Sequence, residues 1–367
     1  MAVLSTIHRV FPPPRYVTLP TVGVDISDTT LKYIQFERKH SHGKNMDLKY
    51  WGDIDIPTGV LERGNVHDLK KLSAVLREVK SATNTDYVRI SLPEERAYLF
   101  EVVLGSDVSF KEVRNLLEFK LEENVPLSPS EVYFDYDIVT ADEKHIRVVV
   151  AVYAKETINN YYEACRTADL IPISFEIEAQ AIARAAVQEG EMGTYMVIDF
   201  GKTRMGVGIV HRGILMYTST IDIGGNLLSS AMREKLGDVA ESELTEIKNT
   251  RGIIRSVDNA EISDALKDIV STMAEEIETR IHYWDTRDDD HATRNIEKII
   301  LCGGSANLEG LPEYLQSAFS ITTERAKVWQ NAFSLETFIP PIARRYSYGF
   351  ATAVGLALGD FRKIKGS

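Results

Sequence analysis

The chain reads as an α/β protein of two facing halves with a cleft between them. Three observations predict this. A strand–Asp–turn–strand unit occurs twice. Val22–Ile26 carries Asp25 and turns through Ser27–Thr30 into Leu31–Phe36, while Met196–Ile198 ends on Asp199 and turns through Phe200–Arg204 into Met205–Val210. A third unit, the strand Lys298–Cys302, runs into Gly303-Gly304-Ser305 and a helix from Gly310, with Pro312 in its first turn. Between these units β-patterned runs alternate with amphipathic helical stretches, the pattern of sheets covered by helices.

In chain order, residues 1–20 form an irregular arm whose Phe11-Pro12-Pro13-Pro14 excludes helix. Residues 21–93 hold the first hairpin, a polar turn over 39–46, the strand Leu48–Ile56, the helix Asp68–Thr83 and the strand Asp86–Leu92. Residues 94–171 read as an inset subdomain of βαββα pattern. It comprises Ala97–Leu104, the helix Ser109–Asn124 with Ser109 as cap and Glu112 three residues on, Glu131–Thr140, His145–Ala154 and the helix Thr157–Ala168. It contains no cluster suited to chemistry, so contact with a partner is its expected task. The first lobe resumes over 172–192 with the Ala-rich helix Glu178–Gln188 and ends with the small-residue helix Tyr348–Leu358, within 345–360. The second lobe takes 193–230 and 296–344, with a helical subdomain over 231–295.

Carboxylates at two strand ends beside Gly-, Ser- and Thr-rich turns suit a nucleoside triphosphate with its metal. Such turns offer N–H groups and hydroxyls to phosphate oxygens, and Mg²⁺ keeps much of its water, so Asp25 and Asp199 would hold it chiefly through water. Lys32 adds a point charge. Each unit alone is an ordinary hairpin; two of them with the Gly-Gly turn favour the site. His40, His42 and His67 lack ligand-spaced partners and read as surface residues, as does the Asp288–Asp290 run in the loop Arg287–Arg294.

Composition narrows the classes. The chain has 367 residues, 44% hydrophobic and 26% charged, ordinary for a globular protein of two or three domains. A net charge of −12 argues against sequence-independent nucleic-acid binding and adhesion to anionic lipid. Cys165 and Cys302 have no metal spacing and read as buried thiols of a reducing cytoplasm. No apolar run has the length of a signal peptide core or a bilayer span.

Asp25–Lys32 resembles the first phosphate motif of the actin, Hsp70 and sugar-kinase ATPases, Asp199–Arg204 the second, and Leu301–Leu311 the adenosine motif. Within that superfamily the chain is similar to the PilM family of type IV pilus assembly, a neighbour of FtsA. Leu121–Tyr136, Ile177–Ala185, Ile223–Asn226 and Ala353–Leu358 carry the likeness, which covers 20 to about 358. The resemblance implies an actin-like two-lobed ATPase fold with an FtsA/PilM-type inset, and ATP and Mg²⁺ as ligands. Asp25, Ser27, Asp28, Thr29, Thr30 and Lys32 would line the phosphates from one side, and Asp199, Gly201, Lys202, Thr203 and Arg204 from the other. Gly224, Gly225 and Asn226 belong to the same nucleotide set. Gly303, Gly304, Ser305 and Leu308 would border the adenosine, and Lys248 would reach the adenine or ribose, although Thr245 stands where the family has a glutamate. Glu178 matches the water-orienting position of hydrolysing relatives. Ser27 replaces a glycine common among relatives, so ATP binding is implied more firmly than turnover.

The implied partner is the cytoplasmic N-terminal peptide of a PilN-like inner-membrane protein, docked beside the inset. Other platform components of the pilus, or of a related type II secretion system, and a second copy of the chain complete the set. Two other classes stay open. A small-molecule kinase of the same fold would need a further carboxylate constellation, which is not found; phosphorylation of a sugar would favour it. A membrane-tethered FtsA-like filament protein would carry a terminal amphipathic helix, for which Phe361–Ser367 is too short; pelleting with vesicles would favour it.

Overall fold

The computed structural model describes residues 21–38, 46–287 and 294–359. The arm over 1–20, most of the polar turn over 39–46, the Asp288–Asp290 run and the chain's close lie outside them. In chain order the elements begin with β1 (Thr21–Ile26), β2 (Thr30–Arg38), β3 (Met46–Asp55), the two-residue strands β4 (Leu61–Glu62) and β5 (Asn65–Val66), α1 (Leu69–Thr83) and β6 (Tyr87–Leu92). The inset follows: β7 (Tyr98–Gly105), α2 (Phe110–Asn124), β8 (Val132–Ala141) and β9 (His145–Ala154). Then come α3 (Lys155–Thr167), β10 (Ile171–Ile177) and α4 (Glu178–Ala186). The second lobe runs through β11 (Thr194–Phe200), β12 (Met205–His211), β13 (Ile214–Ile221), α5 (Gly225–Leu236), α6 (Glu241–Thr250), α7 (Ala260–Thr286), β14 (Ile296–Cys302), α8 (Leu311–Phe319) and β15 (Thr322–Arg325), and α9 (Ala351–Leu358) returns to the first lobe.

The repeat read from the two Asp-bearing hairpins extends to whole sheets. The first is ordered β3-β2-β1-β6-β10 and the second β13-β12-β11-β14-β15. In each, three antiparallel strands are followed by two strands parallel to the first. Asp25 ends the central strand of one sheet and Asp199 that of the other. Their cross-strand partners are equivalent in place and different in kind: Lys32 faces Asp25, and Gly206 faces Asp199.

Local chemistry fixes the helix ends. Asp68 accepts the Lys71 N–H at 3.0 Å and starts α1, and Asn84 stops it at φ 50°. Ser109 and Glu112 form the capping box that their spacing predicts. Glycine and alanine let α9 lie against both β1 and α4. A Cβ on Gly23 would come within 2.3 Å of Ala353 O, and one on Gly355 within 1.7 Å of Ala181 O.

Three cores result. One lies under the first sheet, one joins the second sheet to α5–α8, and one fills the inset. The helices of residues 231–295 therefore share a core with the second sheet. Within the 94–171 range, α3 packs on α1, and its Tyr161 and Ala164 lie in the first core, so the independently packed part of the inset is β7–β9 with α2. One face of the inset sheet sends Val139 and Val149 into the second core. Glu101 of β7 fixes it there, accepting bonds from Arg147, Arg287 at 2.9 Å and Arg294 at 3.2 Å. Burial opposes that charge, but Arg147 and Arg294 hold its carboxyl below the usual range. Among the described residues no helix is long and apolar enough to cross a membrane.

Candidate functional site

The site forms where β1 and β11 end. Asp25 accepts a bond from Ser91 Oγ at 3.1 Å, and that hydroxyl in turn accepts the Ile26 N–H at 3.0 Å. Lys32 stands across the ladder from Asp25 and donates to Thr30 Oγ1 at 2.8 Å. The first turn is tied by Ser27. Its N–H donates to Thr30 O at 2.9 Å, its hydroxyl donates to the same oxygen, and it accepts the Thr30 N–H at 3.2 Å. Ser27 thus closes the turn with its own side chain.

The second turn rests on other backbone. Gly201 N–H donates to Arg204 O at 3.0 Å, and Gly201 O accepts both the Gly225 N–H at 3.0 Å and Ser305 Oγ at 3.1 Å. Asn226 N–H donates to Lys202 O, so the 201–204 turn sits on the N-terminal turn of α5. Gly224 permits this, because a Cβ there would reach 2.3 Å from the Thr203 carbonyl carbon. Gly303, at φ +86°, passes directly over the Asp199 carboxylate, where a Cβ would come within 2.3 Å of Oδ1. Gly349 lies 3.5 Å by its Cβ position from Lys32 Cε and 3.9 Å from Gly304 N, which brings the Gly-Gly turn near Lys32.

The structure therefore gathers Asp25, Lys32, Asp199, Gly201, Gly225, Gly303, Gly304 and Ser305 around one cleft. Other predicted residues are committed elsewhere. Asp28 accepts the Arg63 and Gly64 N–H groups at 3.1 Å each and pairs with Arg204, which also pairs with Glu95. Arg204 and Asp28 thus latch the two turns to each other and to the root of the inset. A second pair across the lobes joins Arg63 to Asp222 at 2.9 Å. Lys248 donates to Ser229 Oγ at 2.7 Å and to Glu241 at 3.3 Å. Glu241, seven residues earlier on α6, supplies the carboxylate that Thr245 cannot. Leu308 is buried in the second core, because its side chain packs there with Leu301 and Leu311.

Sequence reasoning missed Glu94, Glu95, Ser91 and Glu241. The inset range carries no motif suited to chemistry, yet its first two residues enter the cleft. Glu94, 3% exposed, sits against Gly206, whose Cβ position is 2.5 Å from Oε2. The carboxyls of Asp25, Asp199, Glu94 and Glu178 oppose one another in a low-dielectric site. Burial and the Asp25 charge push Asp199 up to about 7, against the pull of Lys32. Burial and the Asp199 charge push Glu94 up to about 8, against donation by the Ala179 N–H and the Thr218 hydroxyl. Burial raises Asp25, with Lys32 and Ser91 opposing it, and Glu178 is raised well above its ordinary value by burial, then by Asp25, Glu94 and Asp199.

A stability test follows. Folded, these groups keep protons that the unfolded chain releases above about pH 4, so the unfolded state binds fewer protons and stability falls as pH rises toward about 7–8. Asp199→Asn removes one such group. By thermal melting the nucleotide-free variant is expected to exceed the parent at about pH 8, by a margin that narrows toward about pH 5. Equal melting at the higher pH contradicts the electrostatic reading.

The donor set suits Mg²⁺ carried on phosphate oxygens. It is all oxygen, and among the described residues no three acidic, His or Cys side chains converge to hold a metal unaided. A profile described as type IV pilus assembly protein PilM matches residues 23–361. The chain belongs to the PilM family. Its fold matches that of a PilM–PilN type IV pilus biogenesis complex, at TM-score 0.76 and 21% identity over 94% of this chain and 100% of that one. It is also similar to the ethanolamine utilization protein EutJ of Carboxydothermus hydrogenoformans, at TM-score 0.53 and 15% identity over 94% and 93% of the two chains. MreB5 of Spiroplasma citri bound to ADP matches at TM-score 0.52 and 12% identity, over 86% and 94%. The two-lobed actin-like architecture is common to these structures.

Proposed function

We propose that this PilM-family chain binds Mg-ATP between its lobes and docks the cytoplasmic N-terminal tail of a PilN-like inner-membrane protein. It would work in the cytoplasm, at the membrane face of a type IV pilus or related secretion platform. The observation that carries the nucleotide half is the pair of equivalent strand ends, Asp25 and Asp199, bordered by Lys32 and by glycine turns on both sides. A bound MreB5 of the same fold holding ADP supports it. Asp25 and Asp199 would orient the hydrated metal, which neutralises phosphate charge when bound. Lys32 would meet the phosphates, and the 201–204, 224–226 and 303–305 turns would supply N–H groups. Glu178 is the residue assigned to orient water, and turnover is expected to be slow. Nucleotide touching both lobes would favour their closed arrangement, which the Arg204–Asp28 latch already prefigures.

The partner half draws on the solved PilM–PilN complex and on the inset surface. β8 forms an outer edge of the inset sheet, and Tyr133 on it is half exposed; Phe119 of α2 is 77% exposed. An extended peptide gains main-chain hydrogen bonds at a strand edge and side-chain pockets beside it, less its ordering entropy, so affinity near micromolar is expected. Titrating a PilN-like N-terminal peptide into the protein with Mg-ATP tests this. Binding that falls about tenfold in Tyr133→Ala is the expected result. Absence of binding by the parent defeats the docking reading.

A further inference from the structure

The row Asp199–Gly206–Thr220 crosses three adjacent strands of the second sheet, β11, β12 and β13. Glu94, from the root of the inset, lies over its middle. Its Oε2 is buried and has no hydrogen-bond partner. Thr220 Oγ1, on the same row, is also buried and unpartnered. Unsatisfied buried oxygens cost free energy, and two on one row are unusual in a well-formed core. Gly206 and Thr220 are directly opposed, so the Glu94 carboxylate over Gly206 stands beside the Thr220 side chain on the same face of the sheet. Gly206 provides the room, since any side chain there would strike the Glu94 carboxylate.

We propose that Glu94 Oε2 and Thr220 Oγ1 hold a water beside Asp199, and that Glu94 is a second positioning residue, with Glu178, for hydrolysis of ATP in the cleft. The inference rests on the nucleotide reading above. In the reaction the water oxygen bonds to the γ-phosphorus while the bond from that phosphorus to the β,γ-bridging oxygen breaks. The electron pair leaves with ADP, and the two protons of the water depart on the orthophosphate. Glu94 acts through the orientation of the water: its carboxyl hydrogen-bonds the water and aims a lone pair of it away from the sheet. The inset root thereby touches the reaction, and the partner-facing subdomain gains a physical route to turnover.

Two measurements test it. A high-resolution crystal structure of the nucleotide-free protein is expected to show an ordered water within hydrogen-bond distance of both oxygens; a dry contact between them overturns the proposal without touching the nucleotide reading. Single-turnover hydrolysis at saturating Mg-ATP is the second. Glu94→Leu removes the carboxyl oxygens, and Thr220→Val deletes the hydroxyl at constant shape. Both are expected to slow hydrolysis about 100-fold with Kd unchanged, while Thr220→Ser keeps the parent rate. Unchanged rates, a loss of affinity in step with rate, or a parent that binds Mg-ATP without hydrolysing it overturns the role. A parent that fails to bind Mg-ATP in a separate titration is instead the failure of the nucleotide reading.

Discussion

Gly355→Ala is expected to destabilise the protein by about 3 kcal/mol, one methyl group at the surface of a helix notwithstanding. The new Cβ would stand 1.7 Å from Ala181 O and 2.4 Å from its carbonyl carbon. Those atoms are backbone, so no rotamer change relieves the clash; α9 must move off α4. It cannot move freely, because its other side lies on β1, where Gly23 approaches Ala353 O and Ala357 N with no room for a Cβ. All eight residues of α9 are buried. Displacement would therefore disturb the strand that carries Asp25 and the helix that begins at Glu178. Gly304→Ala is the control, since a Cβ there meets nothing within 4 Å. Thermal melting of the two variants is expected to separate them clearly; equal melting would mean that the α4–α9 contact is looser than described.

Removing either strand-end carboxylate is expected to weaken Mg-ATP binding at least 10–100-fold, roughly the range seen when groups that orient a bound metal are lost. The direction is not obvious from charge alone. Once ionised, Asp25, Asp199, Glu94 and Glu178 together repel a polyphosphate, and Asp→Ala relieves part of that repulsion. The metal decides the sign. A divalent cation between phosphate oxygens and carboxylates turns the repulsion into attraction, and loss of a carboxylate removes an acceptor for its bound water. Asp25→Ala and Asp199→Ala are thus expected to lose affinity for Mg-ATP while gaining or keeping what little affinity they have for free ATP. Both variants should fold, since among the described residues no ion pair across the lobes involves either aspartate.

Much of this was legible because it is local. The two hairpins, the Ser109–Glu112 cap and the strand into Gly303-Gly304 declare themselves by periodicity and turn chemistry, and the topology they imply recurs in both sheets. β15 and the β4–β5 pair are too short for a period to show, and the Arg63-Gly64 turn between the latter anchors Asp28. Glu94 and Glu95 follow a proline in a charged turn, where solvated side chains are the ordinary expectation. Only the fold brings Glu95 to Arg204, 109 residues away, and Glu94 over Gly206. The carboxylate partner of Lys248 stands seven residues back rather than three, two helical turns along the same face. Leu308 looks like a ligand-facing residue in its motif and is drawn into the core by its neighbours.

The central claim is that the cleft takes ATP through its metal, held between the two equivalent strand ends. Isothermal titration of ATP into the parent, Asp25→Ala and Asp199→Ala proteins, each with and without Mg²⁺, tests it most directly. The account predicts binding by the parent only when Mg²⁺ is present, and a large loss of that binding in both variants. Equal affinity in all three proteins, or parent binding indifferent to Mg²⁺, would contradict it.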